Sequence, residues 1–493
     1  MTITEPTVDV TAPIEHTKLL IDGEFVDSLD GSTFDTINPS NGEVITQVAL
    51  GSAADVDRAV AAARQAFDHG PWPRMKPSER AAALWRLGDL LLADAAEMGR
   101  IETLDQGKPY SLATAGDVPS AAGLFHYMSG FATKLEGSVI PISAPGEYHT
   151  YTRREALGVV GLIVPWNFPL VITSWKMAPA LAAGNTVVLK PAEATPLSAL
   201  RLGQLCLEAG IPPGVVNVVN GYGPTVGQRL AEHPLVDKVS FTGSTATGRR
   251  ILDAAKGNLK RVTLELGGKS ANIIFPDADI EAAIAGSSAG IFFNAGQACA
   301  AASRLYVHDD VYDEVVAGMA EKARQIKVGD GFDPQTEIGP VASLEHFERV
   351  SGYLDVGKNE GEVVTGGARI GEKGYFIEPT IFAGAAPDAR IVKEEIFGPV
   401  VVANRFKDIE EVVAQANDTR YGLASGVWTK DIATAHRTAA RLQAGTVWVN
   451  SYGVFDPSMP FGGMKESGWG REMGHDVMHD YTDVKTVCVR IDG

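Results

Sequence analysis

The chain has 493 residues, 45% hydrophobic and 21% charged, with 53 glycines: too long for one simple core, and too apolar for a disordered or fibrous chain. Lys and Arg total 43 against 61 Asp and Glu, a formal net charge of -18 that disfavours nucleic acid and anionic membrane as partners and favours small molecules or other subunits. Three cysteines, Cys206, Cys299 and Cys488, are too sparse for a disulfide framework, so a reducing cytoplasm is the expected compartment.

Residues 1–16 lack the basic start and apolar run of a secretory signal and are expected to form a disordered leader. The longest apolar runs, such as 158–164, are strand-like and too short to cross a bilayer. Ser52 opens a helix, with Asp55 three residues on and Val56, Val60, Ala63 and Phe67 at helical spacing. The Ala/Leu-rich stretch 80–104 predicts one or two further helices. From 157 to 243 the runs GVVGLIV, NTVVLK, VVNVVNG and KVSFTG alternate with helical patterns such as 197–208, which predicts a parallel, doubly wound sheet. Ligands bind beyond the carboxyl ends of such strands, so residues 165–169, 190–196 and 243–248 are expected to meet in one crevice.

A second α/β pattern begins after Leu264, with strands at 271–275 and 303–307 and helices at 282–293 and 311–327, which places a boundary near Glu265. Residues 147–155, EYHTYTRRE, read as a hairpin interrupting the first domain, and the last strand, 485–491, alternates without a local partner. Together they are expected to form an arm that pairs with another subunit.

Candidate chemistry centres on Cys299 in NAGQACAAASRLYV, where small, loop-like flanks leave nucleophile and inert thiol as equal readings. A free thiol has a pKa of about 8.5, so a nearby cation or base would be needed to activate it. Cys206, by contrast, sits with Leu202, Leu205 and Ala209 on one apolar helical face and reads as core. Glu265 ends the strand-like RVTLEL and enters a Gly-Gly turn; it reads as a general base or as a strand-end carboxylate paired with Lys269. Asn167, in the proline-bracketed turn PWNFP, offers two donors to an oxyanion or simply serves its own turn. The near match to a dinucleotide fingerprint, Gly221, Gly223 and Gly227, has the wrong spacing. Phe241, Gly243 and Ser244 are better placed, where a strand turns into a helix whose amino end can receive a phosphate.

PWNFP, KPAEATP, FTGST, LELGGKS, GQAC, EEIFGPV and PFGGMKESGWGRE occur in this order, and the series closely resembles the aldehyde dehydrogenase superfamily from about Leu20 to the last strand. The resemblance implies an α/β fold: a Rossmann-like NAD-binding domain (1–132 and 155–264), an α/β catalytic domain (265–466) and a small β oligomerisation arm (133–154 and 467–493). It makes Cys299 the nucleophile, Glu265 the general base, Asn167 and the Cys299 amide the oxyanion hole, and Lys176 a proton-handling residue. NAD is the implied cofactor, with Lys190 and Glu193 on the adenosine ribose, Ser244 near the pyrophosphate and Glu395 with Phe397 by the nicotinamide ribose. Pro165, Trp166, Gly223, Gly227, Phe241, Gly243 and Leu266 complete the implied cofactor contacts. Glu193 should accept both ribose hydroxyls and repel a 2′-phosphate. His346 departs from the family pattern, standing where many relatives carry a glutamine that contacts the adenosine ribose.

Phe168, Trp175, Phe455, Ala298 and Ala300 are the implied tunnel wall for an apolar or aromatic aldehyde, and a homodimer or homotetramer is the implied assembly. No metal is expected. Two rival readings remain: a relative that passes the acyl group to coenzyme A, for which Glu265 would not be needed, and a non-catalytic protein retaining the fold.

Overall fold

The structure is a computed structural model, which describes residues 9–492. Of the expected leader, residues 1–8 lie outside the described residues. From Ala12 onward the chain is anchored, since Arg100 Nη1 donates to the Ala12 carbonyl at 3.1 Å and the His16 ring stacks on Phe25 at 4.4 Å.

An eight-stranded sheet runs in the order Gly468–Trp469, Arg261–Glu265, Lys238–Thr242, Val159–Ile163, Thr186–Lys190, Val216–Val218, Leu19–Ile21, Glu24–Val26. The five strands from Arg261–Glu265 to Val216–Val218 are parallel, and the others pair antiparallel at the two edges. Its central strand Val159–Ile163 is apolar at every position but Gly161, and buried throughout, because both faces are covered. Val159, Ile163, Val188 and Val239 point to one side and meet Val56, Val60 and Ala63 of the helix Ala53–Asp68. Val160, Leu162, Val187 and Leu189 point to the other and meet the helices Pro77–Ala93, Val118–Ser129, Pro169–Ala183 and Leu197–Glu208. Each such buried Val or Leu contributes roughly 1.5–3 kcal/mol. Ser52 caps the first of these helices, with Asp55 completing the capping box.

The second sheet has seven strands, Glu362–Thr365, Thr380–Ala383, Val400–Phe406, Arg304–His308, Ala271–Ile274, Ala424–Trp428 and Thr446–Val449, all parallel except the first. The helices Ile280–Phe292 and Tyr312–Gln325 lie on one face, and Ile409–Asn417 and Ile432–Arg441 lie over the other. Residues 266–270 carry the chain from one sheet to the other.

Two expectations are corrected. Residues 147–155 are not a self-contained hairpin: Tyr148–Ala156 is one long strand, and it pairs residue for residue with Thr482–Arg490 of the same chain. The last strand therefore has an intramolecular partner, with Arg154 and Thr482 in contact although 328 residues apart. Residues 468–469, expected in the arm, form the edge strand of the first sheet against Leu264 and Glu265. Among the described residues no helix is long and apolar enough to cross a membrane.

Candidate active site

Three loops leave the carboxyl edge of the first sheet, each entering a helix. Residues 164–168 lead into Pro169–Ala183 and 191–196 into Leu197–Glu208, while Gly243 and Ser244 lead into Thr245–Ala255. The second sheet answers with loops at the amino ends of its strands: 297–303 before Arg304–His308 and 394–399 before Val400–Phe406.

Cys299 owes its position to a break in the helix that precedes it. After Ile280–Phe292, Asn294, Ala295 and Gly296 are all left-handed, with φ of 49°, 53° and 70°. A β-carbon on Gly296 would stand 2.0 Å from the Gly398 carbonyl oxygen, and one on Gly268 would stand 2.3 Å from that of Cys299. Glycine at these two positions lets the three segments close on one another. Cys299 as a residue is half-buried, whereas Cys206 is fully buried as core.

Among the described residues, the strongest charges acting on the thiol are carboxylates. Burial, then the carboxylates of Glu265 and Glu395, push Cys299 up to about 12. Alkylation of Cys299 by iodoacetamide in cofactor-free protein, followed on its own peptide by mass spectrometry, is therefore expected to rise about tenfold per pH unit from 7 to 10. A plateau near pH 8 would show that the thiolate is stabilised by a group not identified above.

Glu265 ends its strand buried, and neither carboxylate oxygen makes a well-formed hydrogen bond among the described residues. Burial and then Glu472 raise its pKa well above the usual carboxylate range, against Lys176, Arg471 and the Gly463 N–H. The alternative pairing with Lys269 does not occur. Lys269 Nζ is buried without a partner too, and burial, then Arg304, bring it down to about 7.

Asn167 is buried, and its Nδ2 donates to the Gln297 carbonyl at 2.9 Å. Its own carbonyl accepts from Asn294 Nδ2 at 2.9 Å. Gln297 takes the Ala342 N–H on Oε1 at 2.9 Å and donates Nε2 to the Asn294 carbonyl at 3.0 Å. The Asn167 turn and the nucleophile loop are thus bonded directly to each other.

Lys176 is fully buried, with Nζ 2.5 Å from Glu472 Oε1 and 3.0 Å from Ser240 Oγ. Glu472 was missed in the sequence. It is the last residue of PFGGMKESGWGRE, a motif quoted above without a role for its glutamate. Arginine followed by glutamate at the end of a glycine-rich run was the available signal.

The expected cofactor residues fall into two groups. On the first sheet, Lys190 pairs with Glu193 at 2.9 Å, and Ser244 caps Thr245–Ala255, accepting the Thr247 N–H at 3.2 Å. Phe241 packs under Gly243, and Leu266 packs over Gly248 in that helix. On the second sheet, Glu395 Oε1 accepts the Gly268 N–H at 2.8 Å and burial raises its pKa. Phe397 stands at φ 65°, edge-on to Trp166 at 5.4 Å, while Pro165 precedes Trp166 in the same turn. His346 joins these rings: it lies 4.7 Å from Trp166 and its Nε2 donates to the Phe397 carbonyl at 2.7 Å. Burial pulls His346 down to about 4, so the imidazole is neutral. Gly223 and Gly227 bound a short helical turn after Val216–Val218 that continues into Gln228–Glu232.

Of the expected tunnel residues, Phe168 stacks on Phe293 at 5.8 Å, and Trp175 meets Phe455 at 6.0 Å and Phe461 at 5.5 Å. Trp448 closes on Phe455 at 5.5 Å, so Phe293, Phe461 and Trp448 extend the expected set. Ala298 and Ala300 do not share surroundings. Ala298 packs on the second sheet's core, while Ala300 is buried against the first core, its carbonyl bonded to Tyr452 Oη at 2.7 Å.

Fold and site define an oxidoreductase built from a nucleotide-type crevice in one sheet and a thiol presented from the other. The chain belongs to the aldehyde dehydrogenase family, whose model matches residues 25–487. It is 50% identical to aldehyde dehydrogenase family 2 member B4, mitochondrial, of Arabidopsis thaliana, over 99% of this chain and 90% of that protein. To aldehyde dehydrogenase 1A1 of Gallus gallus it is 49% identical, over 99% and 96% of the two chains. The NAD+ complex structure of the aldehyde dehydrogenase from Bacillus cereus superposes with a TM-score of 0.95 at 49% identity, covering 97% of each chain.

Proposed function

We propose that this protein oxidises an aldehyde to a carboxylic acid through a thioester on Cys299, with NAD as the electron acceptor and water as the second substrate. The observation that carries the reading is Glu265: a buried carboxylate without a well-formed hydrogen bond, close enough to Cys299 to raise its pKa. Such a group costs stability, and groups perturbed in this way cluster at functional sites.

The residues present fit the cofactor. Ser244 and the amino end of an 11-residue helix suit a pyrophosphate, and Glu193, at the edge of the Lys190 pair, suits a ribose diol and disfavours a 2′-phosphate. Glu395 and Phe397 are assigned to the nicotinamide ribose. NAD, when bound, supplies the hydride acceptor.

The chain's own residues do the rest. The Cys299 thiol gives up its proton to solvent water, and its sulfur adds to the aldehyde carbon. The carbonyl π pair moves to oxygen, where the oxyanion is held by the Cys299 N–H and by the second Nδ2 hydrogen of Asn167, the first being spent on Gln297. After oxidation the adduct is a thioester. Glu265 takes a proton from water as the water oxygen attacks, the carbon–sulfur bond breaks and the sulfur leaves as thiolate. The Lys176–Glu472 pair, whose charges both act on Glu265, is assigned to passing that proton onward. Phe168, Trp175, Phe455 and their ring neighbours favour an apolar or aromatic aldehyde.

The paired strands Tyr148–Ala156 and Thr482–Arg490 are assigned to subunit contacts in a dimer or tetramer. The protein is placed in the cytoplasm, in keeping with its three unpaired cysteines.

The test is NADH formation by purified protein with NAD and a panel of aliphatic, aromatic and amino aldehydes, coenzyme A omitted. Turnover is expected, fastest with aromatic or long-chain members. A requirement for coenzyme A would overturn the role of water, and turnover with NADP alone would overturn the cofactor.

A further inference from the structure

The helix Ala95–Gln106 ends in an unusual way: Glu102, Asp105, Gln106 and, just beyond it, Lys108 are all buried, none more than 1% exposed. Charged side chains are almost never fully buried unless they are paired, as Lys108 is with Glu102 and Asp117. Here each reaches toward the loops of the candidate site. Glu102 Oε1 accepts the Leu170 N–H at 3.2 Å, in the first turn of Pro169–Ala183, and Asp105 Oδ2 accepts the Leu197 N–H at 3.2 Å, at the start of Leu197–Glu208. These two helices follow the Asn167 turn and residues 191–196. A buried carboxyl group is thereby fixed to each helix amino end, although burial raises the pKa of both.

Lys108 lies between them. Its Nζ is ion-paired with Asp117 and stands 3.5 Å from Glu102 Oε2. It also stands 4.7 Å from the centre of the Phe168 ring and 3.5 Å from the Asn167 carbonyl oxygen. Burial lowers its pKa, but Asp117 and Glu102 outweigh burial and leave it above the usual lysine value, so the cation persists. Gln106 completes the link, with Nε2 donating to Asn294 Oδ1 at 3.2 Å, while Asn294 Nδ2 donates to the Asn167 carbonyl. The Asn167 carbonyl is held from two sides, by Lys108 and by Gln106 acting through Asn294.

We propose that Lys108 and Gln106 are positioning residues that hold the Asn167 main chain, so that the Asn167 amide meets the oxyanion at the angle catalysis needs. The inference rests on the oxyanion role assigned to Asn167 above. Gln106 and Lys108 are at most 1% exposed, so neither side chain opens onto the crevice. Both act through Asn167, and a misplacement of about 1 Å at such a group is enough to cost on the order of 10²-fold in rate.

The experiment is a double-mutant cycle read by the pre-steady-state NADH burst. Lys108→Met is expected to slow the burst about 10- to 100-fold with the KM for NAD unchanged. In an Asn167→Ala background the same substitution is expected to add little, because the group it positions is gone. Lys108→Arg, which keeps the cation, is expected to recover part of the rate. Should the loss of a buried charge prevent Lys108→Met from folding, Gln106→Met removes the Asn294 bond without stranding a charge and is expected to show the same loss and the same non-additivity. A full, independent loss on top of a slowed Asn167→Ala enzyme would overturn the proposal alone. An Asn167→Ala enzyme running at the parent rate would overturn the oxyanion assignment, and the proposal with it.

Discussion

Replacing Cys299 with alanine is expected to lower NADH formation by roughly 10⁶-fold, below detection, while NAD still binds. Without the sulfur no covalent adduct forms, and the oxyanion donors have nothing to act on. The loss should be specific to this cysteine. Cys488 is exposed on the arm strand Thr482–Arg490, so Cys488→Ser is expected to leave turnover unchanged. Cys206 lies in the core, where burial raises its thiol far above the usual value and leaves it inert. Rates are measured by absorbance of NADH, and cofactor binding by quenching of tryptophan fluorescence. Residual turnover within 100-fold of the parent would remove Cys299 from the nucleophile's role.

Glu265→Gln is expected to separate the two halves of the reaction. The variant should release one equivalent of NADH per site in a burst and then stall at the thioester, because the acceptor step precedes hydrolysis. The burst should be no slower than the parent's. Glu265 is one of two carboxylates that hold the Cys299 thiol protonated, and removing its charge lowers that thiol's pKa. The pH profile carries a second signature. Because the Glu265 pKa lies well above the ordinary carboxylate value, the parent's steady rate should climb with pH above that range as the base deprotonates, and the glutamine variant should lose this limb. Mass spectrometry of the stalled enzyme should find the acyl group on the Cys299 peptide. Steady turnover at the parent rate would sink the assignment.

What could be read without a structure was local. The parallel sheet was legible because Val159–Ile163 and Thr186–Lys190 carry apolar residues on both faces and alternate with helical patterns, as strands of a sheet covered on both sides do. The capping box at Ser52 and Asp55 was legible because its partners are three residues apart. The candidate Cys299, Glu265, Asn167 and Lys176 were legible as chemistry-bearing residues in a recognised order of motifs, each at the end of a strand, in a loop or on the helix that follows. Their environments were not. Glu265 and Lys269 are four residues apart and read as a plausible ion pair, yet the turn through Gly267 and Gly268 leaves both buried and unpaired.

By itself, the sequence determined the two α/β patterns, the loops that carry chemistry, the family resemblance and the sparse, unpaired cysteines, because each depends on spacing within a few residues or on composition. Only the tertiary structure decided that Lys176 meets Glu472, that the arm strands pair within one chain, that Gln106 and Lys108 reach Asn167, and that carboxylates rather than cations surround the thiol. Among these contacts, Lys108 and Asn167 are 59 positions apart in the chain and Lys176 and Glu472 are 296 apart. Burial and charge sum over everything the fold brings close, so neither a pKa direction nor a long-range partner is written in any short window.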